Sequence, residues 1–351
     1  MIFDEYEVAV KSELTLQGTI TKPKAGGKYA AVVIIAGSGE VDRDGTIVPL
    51  KLESNIYKDL AHVMAQLGVV TLRFDKRGVG KSNGEILKTG MWDLVSDIEA
   101  MITYLKEQPF VDPENIILAG HSEGCMLATV VNARTPVNGL ILITGAAESL
   151  EEATKRQREI AYKELKEQKG IKGKLMRLLN VEKRGEKQME KIKEKMMNTE
   201  KDTIKVGFKP MNAKWFREHF QHDIYKDLQQ VTCPVLAIAG DKDIQADPER
   251  AKRIGEYVKG DSEVRVVKNM DHSLKSFEGE FKALEFKKNY EEGAGKPLHP
   301  ELEEIIVNWM EAHFIPGSKA FTSKLGEEVG KETACKRLVV EWESSLVYKS
   351  F

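Results

Sequence analysis

The chain is 351 residues long, which at roughly 150 residues per domain makes two domains or one large α/β unit carrying an insertion. Hydrophobic residues are 41% and charged residues 31%, enough for a sizeable core, and 53 basic against 55 acidic side chains give no global electrostatic case for nucleic acid. Cys125, Cys233 and Cys335 neither build a disulfide framework nor show zinc-ligand spacing, the first residues lack a signal peptide's pattern, and no segment has the ~20 apolar residues that span a bilayer, so a cytoplasmic chain without stable membrane insertion is expected.

In chain order, Glu5–Val10 and Glu13–Thr21 alternate partly as strands, with Val8, Val10, Leu14, Leu16 and Ile20 as inward candidates. Tyr29–Ile35 is a continuous apolar run, as expected of a strand buried on both faces. The Gly-rich loop Ala36-Gly37-Ser38-Gly39 follows. A helix is expected over Ile56–Leu67, a strand over Val69–Phe74, a helix over Trp92–Lys106 and a strand over Ile116–Ala119. A helix from about Met126 to Ala133 and a strand over Leu140–Thr144 complete an alternation that argues for a mostly parallel sheet flanked by helices.

The rhythm stops at Gly145. Residues 148–229 show no convincing strand, and 151–209 hold 18 basic against 11 acidic side chains. The stripes Ile171, Leu175, Leu178, Leu179 and Met189, Ile192, Met196 suggest helices with a solvated charged face, and leave a membrane or acidic-ligand surface as the alternative. Strands are expected again at Pro234–Ala239 and Val264–Val267, and a helix from Pro300 to Phe314. For residues 318–351, a C-terminal tail, the pattern does not choose among a mobile segment, an added edge element and an extension.

The segment Ile116-Ile117-Leu118-Ala119-Gly120-His121-Ser122-Glu123-Gly124 is an apolar strand, a G-x-S-x-G turn and a small-residue helix start. A sharp strand-to-helix turn lifts a serine off the sheet edge, and glycines make room for it. Ser122 is the candidate nucleophile, and it needs a base to take its proton. His272 follows the strand Val264–Val267 and falls on the same sheet edge, whereas His121 should point away from the turn's apex. Asp243 is favoured over Asp241 as the carboxylate that orients the imidazole, both leaving the strand at Ala237–Ala239.

With these pieces in the order Ser122, Asp243, His272, the chain resembles an α/β-hydrolase-fold serine esterase over residues 5–315. Arg73-Phe74-Asp75-Lys76-Arg77-Gly78-Val79-Gly80-Lys81-Ser82 resembles the family's D-x-R-G-x-G-x-S turn. Ala36-Gly37-Ser38-Gly39 with Asp42-Arg43-Asp44-Gly45 resembles the oxyanion loop of a bacterial carboxylesterase subgroup with an AGSG…DRDG signature and a GHSEG elbow. The resemblance implies backbone N–H groups of Ser38 and Glu123 as the oxyanion hole, and no metal or organic cofactor. It also implies a core of residues 1–147 and 230–317 and a helical cap at 148–229, inserted after the sixth strand. Within the cap Trp215, Phe216, His219 and Phe220 become pocket candidates, while Asp42, Arg43 and Asp44 read as a clasp for the loop.

The implied activity is hydrolysis of carboxylic esters, with small to medium acyl groups, on a small-molecule substrate. Acyl thioesters or small peptides on the same machinery, and a non-catalytic ligand-binding homologue, are the rival expectations. Oligomeric state, a homodimer included, is not written in the sequence.

Overall fold

The computed structural model describes residues 2–178 and 180–315, so Cys335 and the 318–351 tail lie outside the described residues. The strands in chain order are β1 (Phe3–Lys11), β2 (Thr15–Pro23), β3 (Tyr29–Ile35), β4 (Thr46–Ile47), β5 (Leu52–Glu53), β6 (Val70–Phe74), β7 (Val111–His121), β8 (Gly139–Ile143), β9 (Thr203–Val206), β10 (Lys209–Asn212), β11 (Val235–Gly240) and β12 (Ser262–Val267). The helices are α1 (Ile56–Gln66), α2 (Met91–Lys106), α3 (Glu123–Arg134), α4 (Leu150–Glu167), α5 (Gly170–Leu178), α6 (Val181–Met197), α7 (Ala213–Gln221), α8 (Ile224–Leu228), α9 (Pro248–Lys252), α10 (Ile254–Tyr257), α11 (Phe286–Gly293) and α12 (Pro300–His313).

Eight strands form one sheet in the order β1-β2-β6-β3-β7-β8-β11-β12. Of these, β2 runs against its neighbours β1 and β6, and the pairings from β6 through β12 are parallel. The central strands are apolar on both faces because helices cover both. Ala31 through Val33 of β3, Ile116 through Leu118 of β7 and Leu140 through Leu142 of β8 are all fully buried. The edge strand β12 instead lies largely open to solvent, with Glu263 and Arg265 paired at its surface. The helix α3 is buried along ten consecutive residues, Glu123–Asn132, which places it beneath the rim where β7 ends.

This is an α/β-hydrolase fold, and the strand pattern expected from the sequence is its core. The parallel strands end on one edge, where loops of such a sheet gather ligands. Ser38 follows β3, Lys76 follows β6, Ser122 follows β7, Asp243 follows β11 and His272 follows β12.

Two expectations need correction. Residues 148–229 do contain strands: β9 and β10 pair antiparallel, Val206 opposite Lys209, across the two-residue loop Gly207-Phe208. Thr203-Ile204-Lys205-Val206 is β-branched and alternating, and Gly207 at φ 62° supplies the backbone a tight loop requires, so the hairpin signal was present but short. Helix α3 begins at Glu123, three residues before the expected Met126, because the chain turns directly from strand into helix at Ser122. Of the stripe Ile171, Leu175, Leu178, Leu179, the described Leu178 side chain is 82% exposed, and the other three lie outside the described side chains. The compact unit that holds the sheet ends at Ile306; the described residues beyond it, 307–315, carry the end of α12, with Trp309 and His313 rings in contact at 5.0 Å.

Candidate active site

The turn after β7 is forced by close backbone approach. A Cβ on Gly120 would stand 2.2 Å from the Gly124 carbonyl oxygen, and one on Gly124 would stand 2.3 Å from that of Ile35, so both positions must be glycine. Between them Ser122 is held at φ 55° and ψ −121°, a backbone conformation that L-residues rarely adopt. Its N–H donates to Ile143 O at 3.0 Å and its carbonyl accepts from Cys125 N at 3.0 Å, which pins the strained residue on both sides.

The hydroxyl so presented meets a histidine. His272 Nε2 lies 3.1 Å from Ser122 Oγ, and His272 Nδ1 lies 2.8 Å from Asp243 Oδ2. The carboxylate only accepts, so Nδ1 carries the proton and Nε2 is left with a lone pair facing the hydroxyl. Asp243 Oδ1 accepts the N–H groups of Gln245 and Ala246 at 2.7 and 3.0 Å, which fixes the carboxylate plane. Asp241, the other sequence candidate, is exposed and accepts from Asn269 N at 2.6 Å. Ser122, Asp243 and His272 are therefore brought together, and Asp241 ties their two loops.

Ser38, Ser122 and Glu123 line one cavity of about 150 Å³. Glu123 is the first residue of α3, where a helix leaves its N–H groups without intrahelical acceptors. Gly37, before Ser38, packs so closely that a Cβ there would stand 3.1 Å from Ser122 Cβ. Gly37 N–H donates to Tyr57 Oη at 2.8 Å, and the Gly37 carbonyl accepts from the buried Lys76 ammonium. The loop's further course is clasped as expected. Arg43 reaches Gly18 O at 2.7 Å, Arg73 holds Asp44 at 2.7 Å, and Asp42 Oδ1 accepts the N–H groups of residues 44, 45 and 46.

Two features were not anticipated. His121, expected to point away from the turn's apex, is a connector. Its Nδ1 lies 2.9 Å from Tyr57 Oη, and its Nε2 lies 2.9 Å from the backbone carbonyl of His272. The His272 carbonyl and Gly37 N–H fix every proton: Gly37 N–H donates to Tyr57, Tyr57 O–H donates to His121 Nδ1, and His121 Nε2–H donates to His272 O. Burial, with the nearby His272 ring, pushes His121 down to about 3, so it stays neutral. No periodicity could have marked it, since the chain of contacts links the loop after β3, the start of α1, the end of β7 and the loop after β12.

The second is the side chain of Glu123. Its carboxylate accepts from Trp215 Nε1 at 2.6 Å and stands 3.2 Å from His219 Nε2. Burial alone would raise its carboxyl, but His219, the Lys76 ammonium and the indole together hold it below the usual range. Of the four pocket candidates, Trp215 lines the Ser122 cavity, Phe216 lines that cavity and a larger one beside it, and Phe220 lines the larger one. His219 is turned to Glu123, with its side chain fully enclosed. Cys125 is a buried thiol whose Sγ lies 3.2 Å from both Gly120 O and Ile143 O, either of which can accept its one proton, and burial raises it. Among the described residues, no cluster of three or more His, Cys, Asp or Glu side chains is arranged to hold a metal, and no helix is long and apolar enough to cross a membrane.

The model of the family described as serine aminopeptidase, S33, matches residues 50–280, a span that holds both Ser122 and His272. The chain belongs to this α/β-hydrolase family. Esterase EstD of Thermotoga maritima is a similar protein, 27% identical over 288 residues that cover 82% of this chain and 64% of that protein, so this chain spans under two thirds of the relative's length. Among solved structures, Est1E from Butyrivibrio proteoclasticus with ferulic acid bound superposes with a TM-score of 0.55 at 19% identity, covering 81% of this chain and 96% of that one. Mouse alpha/beta hydrolase domain-containing protein 10 superposes with a TM-score of 0.55 at 16% identity, covering 88% and 97%. The family match places the chain among these α/β-hydrolases, and the solved structures carry the fold.

Proposed function

We propose that the protein is a carboxylic ester hydrolase that works through an acyl-enzyme, with residues 148–229 as a cap over a core built from the flanking segments, and that it acts in the cytoplasm. The observation that carries this reading is the hydrogen-bond line from Asp243 Oδ2 through both ring nitrogens of His272 to Ser122 Oγ, at 2.8 and 3.1 Å. As Ser122 Oγ attacks the ester carbonyl, its proton passes to His272 Nε2, and Asp243 stabilises the imidazolium. The N–H groups of Ser38 and Glu123 receive the oxyanion. Collapse breaks the C–O bond, the leaving alkoxide takes the proton from Nε2, and water then repeats the sequence on the acyl-enzyme with His272 again as base.

Ester specificity is favoured over cleavage of an aminoacyl amide by the charges around Ser122. A substrate α-ammonium needs a carboxylate free to receive it. The two carboxylates lining the cavity are engaged, Glu123 by Trp215 and His219, and Glu148 by Arg156 at 3.0 Å.

A fluorophosphonate probe should label the wild-type protein and not Ser122→Ala, and kcat/KM on p-nitrophenyl esters should exceed that on acyl-CoA thioesters and aminoacyl anilides. Equal labelling of Ser122→Ala would favour a ligand-binding protein without this nucleophile. Thioesters or anilides turned over faster than esters would overturn the ester assignment.

A further inference from the structure

Two further cavities adjoin the one that Ser122 lines. The one that contains Ser122 adjoins a chamber of about 420 Å³, the two sharing Thr154, Gln157, Phe216 and Gln245 as walls. On its other side it shares Ser38, Glu123 and Trp215 with a pocket of about 270 Å³. Phe216 thus stands between the Ser122 cavity and the large chamber, and Trp215 between that cavity and the small pocket.

The large chamber is apolar, walled by Ile192, Met196, Met211, Phe216, Phe220 and Phe286. The two cations on its border are already engaged: Arg158 with Glu186 at 2.9 Å, and Lys193 with Glu151. The small pocket has Ile86 and Leu94 as apolar walls, and its charged walls are balanced, Arg77 by Asp97 at 2.7 Å and Lys76 by the field of Glu123. Neither compartment offers an unpaired charge to an ionic substrate. The chamber volume falls within the ~300–1,000 Å³ of small-molecule sites, and unbranched methionines let such a wall adapt.

Resting on the hydrolase reading, we infer that the substrate is a neutral ester carrying apolar groups on both sides of the scissile bond, the longer one in the chamber under α4, α6 and α7 and the shorter one in the pocket between Trp215 and Ile86. Which side of the ester enters the chamber is decided by the arms of the test.

Two series are compared on the wild-type chain: p-nitrophenyl esters from acetate to decanoate, and alkyl acetates from methyl to decyl. One series should gain about two- to fourfold in kcat/KM per methylene until the chamber is full, and the other should gain over its first few carbons and then stop. Ile192→Trp, which fills the chamber, should lower the long-to-short ratio at least about tenfold in whichever series keeps gaining. Ile86→Trp should lower it in the other series. Fluorophosphonate labelling of each variant at Ser122 verifies that the site is still assembled. Labelled protein with flat profiles in both series, or with a long-to-short ratio indifferent to Ile192→Trp, overturns the inference while leaving the hydrolase reading standing. Absence of labelling in the wild type overturns that reading, and the inference with it.

Discussion

The buried ammonium of Lys76 donates its hydrogen bond to the carbonyl of Gly37, one end of the peptide unit whose other end is the N–H of Ser38. Because a peptide is planar and trans, fixing the carbonyl fixes the direction of that N–H. A cation on the carbonyl oxygen also draws electron density across the amide and strengthens the N–H as a donor. Tyr57 holds the preceding N–H, so Gly37 is clamped from both sides. Lys76→Met should therefore lower kcat on p-nitrophenyl esters by about 10- to 100-fold with KM nearly unchanged, since the lost interaction matters only when the oxyanion forms. An increase in KM at constant kcat would mean that Lys76 serves substrate binding instead.

Ser122 sits at φ 55° and ψ −121°, where glycine is at ease and serine is not. Such strain costs on the order of 1–3 kcal/mol, and glycine's extra unfolded-state entropy returns part of the gain. Ser122→Gly should raise the melting temperature by about 1–3 °C and abolish fluorophosphonate labelling. Ser122→Ala should abolish labelling without the rise. A scanning fluorimetry comparison of the two variants checks this.

Glu123 and Lys76 are both buried, and each lies in the field of the other. Glu123→Gln leaves the ammonium without its countercharge and should destabilise the fold by about 3 kcal/mol in urea unfolding. The double variant with Lys76→Met should recover at least half of that loss. Additive losses would mean that the two charges do not couple.

His121 gives a pH dependence of stability. Its ordinary value of 6.5 falls to about 3 in the folded chain, because burial penalises the charged ring. Between these values the unfolded chain binds a proton that the folded chain refuses, so stability is complete above about pH 6.5 and declines as pH falls toward 3. At pH 5 the loss from this residue is ~2 kcal/mol. Melting temperatures of His121→Gln measured at pH 7.5 and 5 should differ by less than those of the wild type.

Much of the sheet was legible because strands such as β3 and β8 are unbroken apolar runs, and a strand covered on both faces can be little else. Ser122 was legible because the two glycines around it answer a steric demand within a few residues of chain. What could not be read is what depends on contacts between distant loops. Nothing near Lys76 or Tyr57 in the sequence says that both end on Gly37, and nothing near His219 says that it faces Glu123. The hairpin β9–β10 was missed for a different reason: four residues per strand, in a charged stretch, leave too short an alternation. The start of α4 carried a readable signal in Ser149 and Glu152, whose side chains cap each other's backbone.

The residue after the serine is also the mooring of α7, through Trp215 and His219. Anyone exchanging residues 148–229 for those of another hydrolase, to transplant its selectivity, must therefore carry position 123 along with positions 215 and 219. A graft that keeps the glutamate but discards its two ring partners would strand an enclosed anion beside the reacting atoms. On the proposed reading, selectivity and reactivity would be inherited together in this chain, not as separable modules.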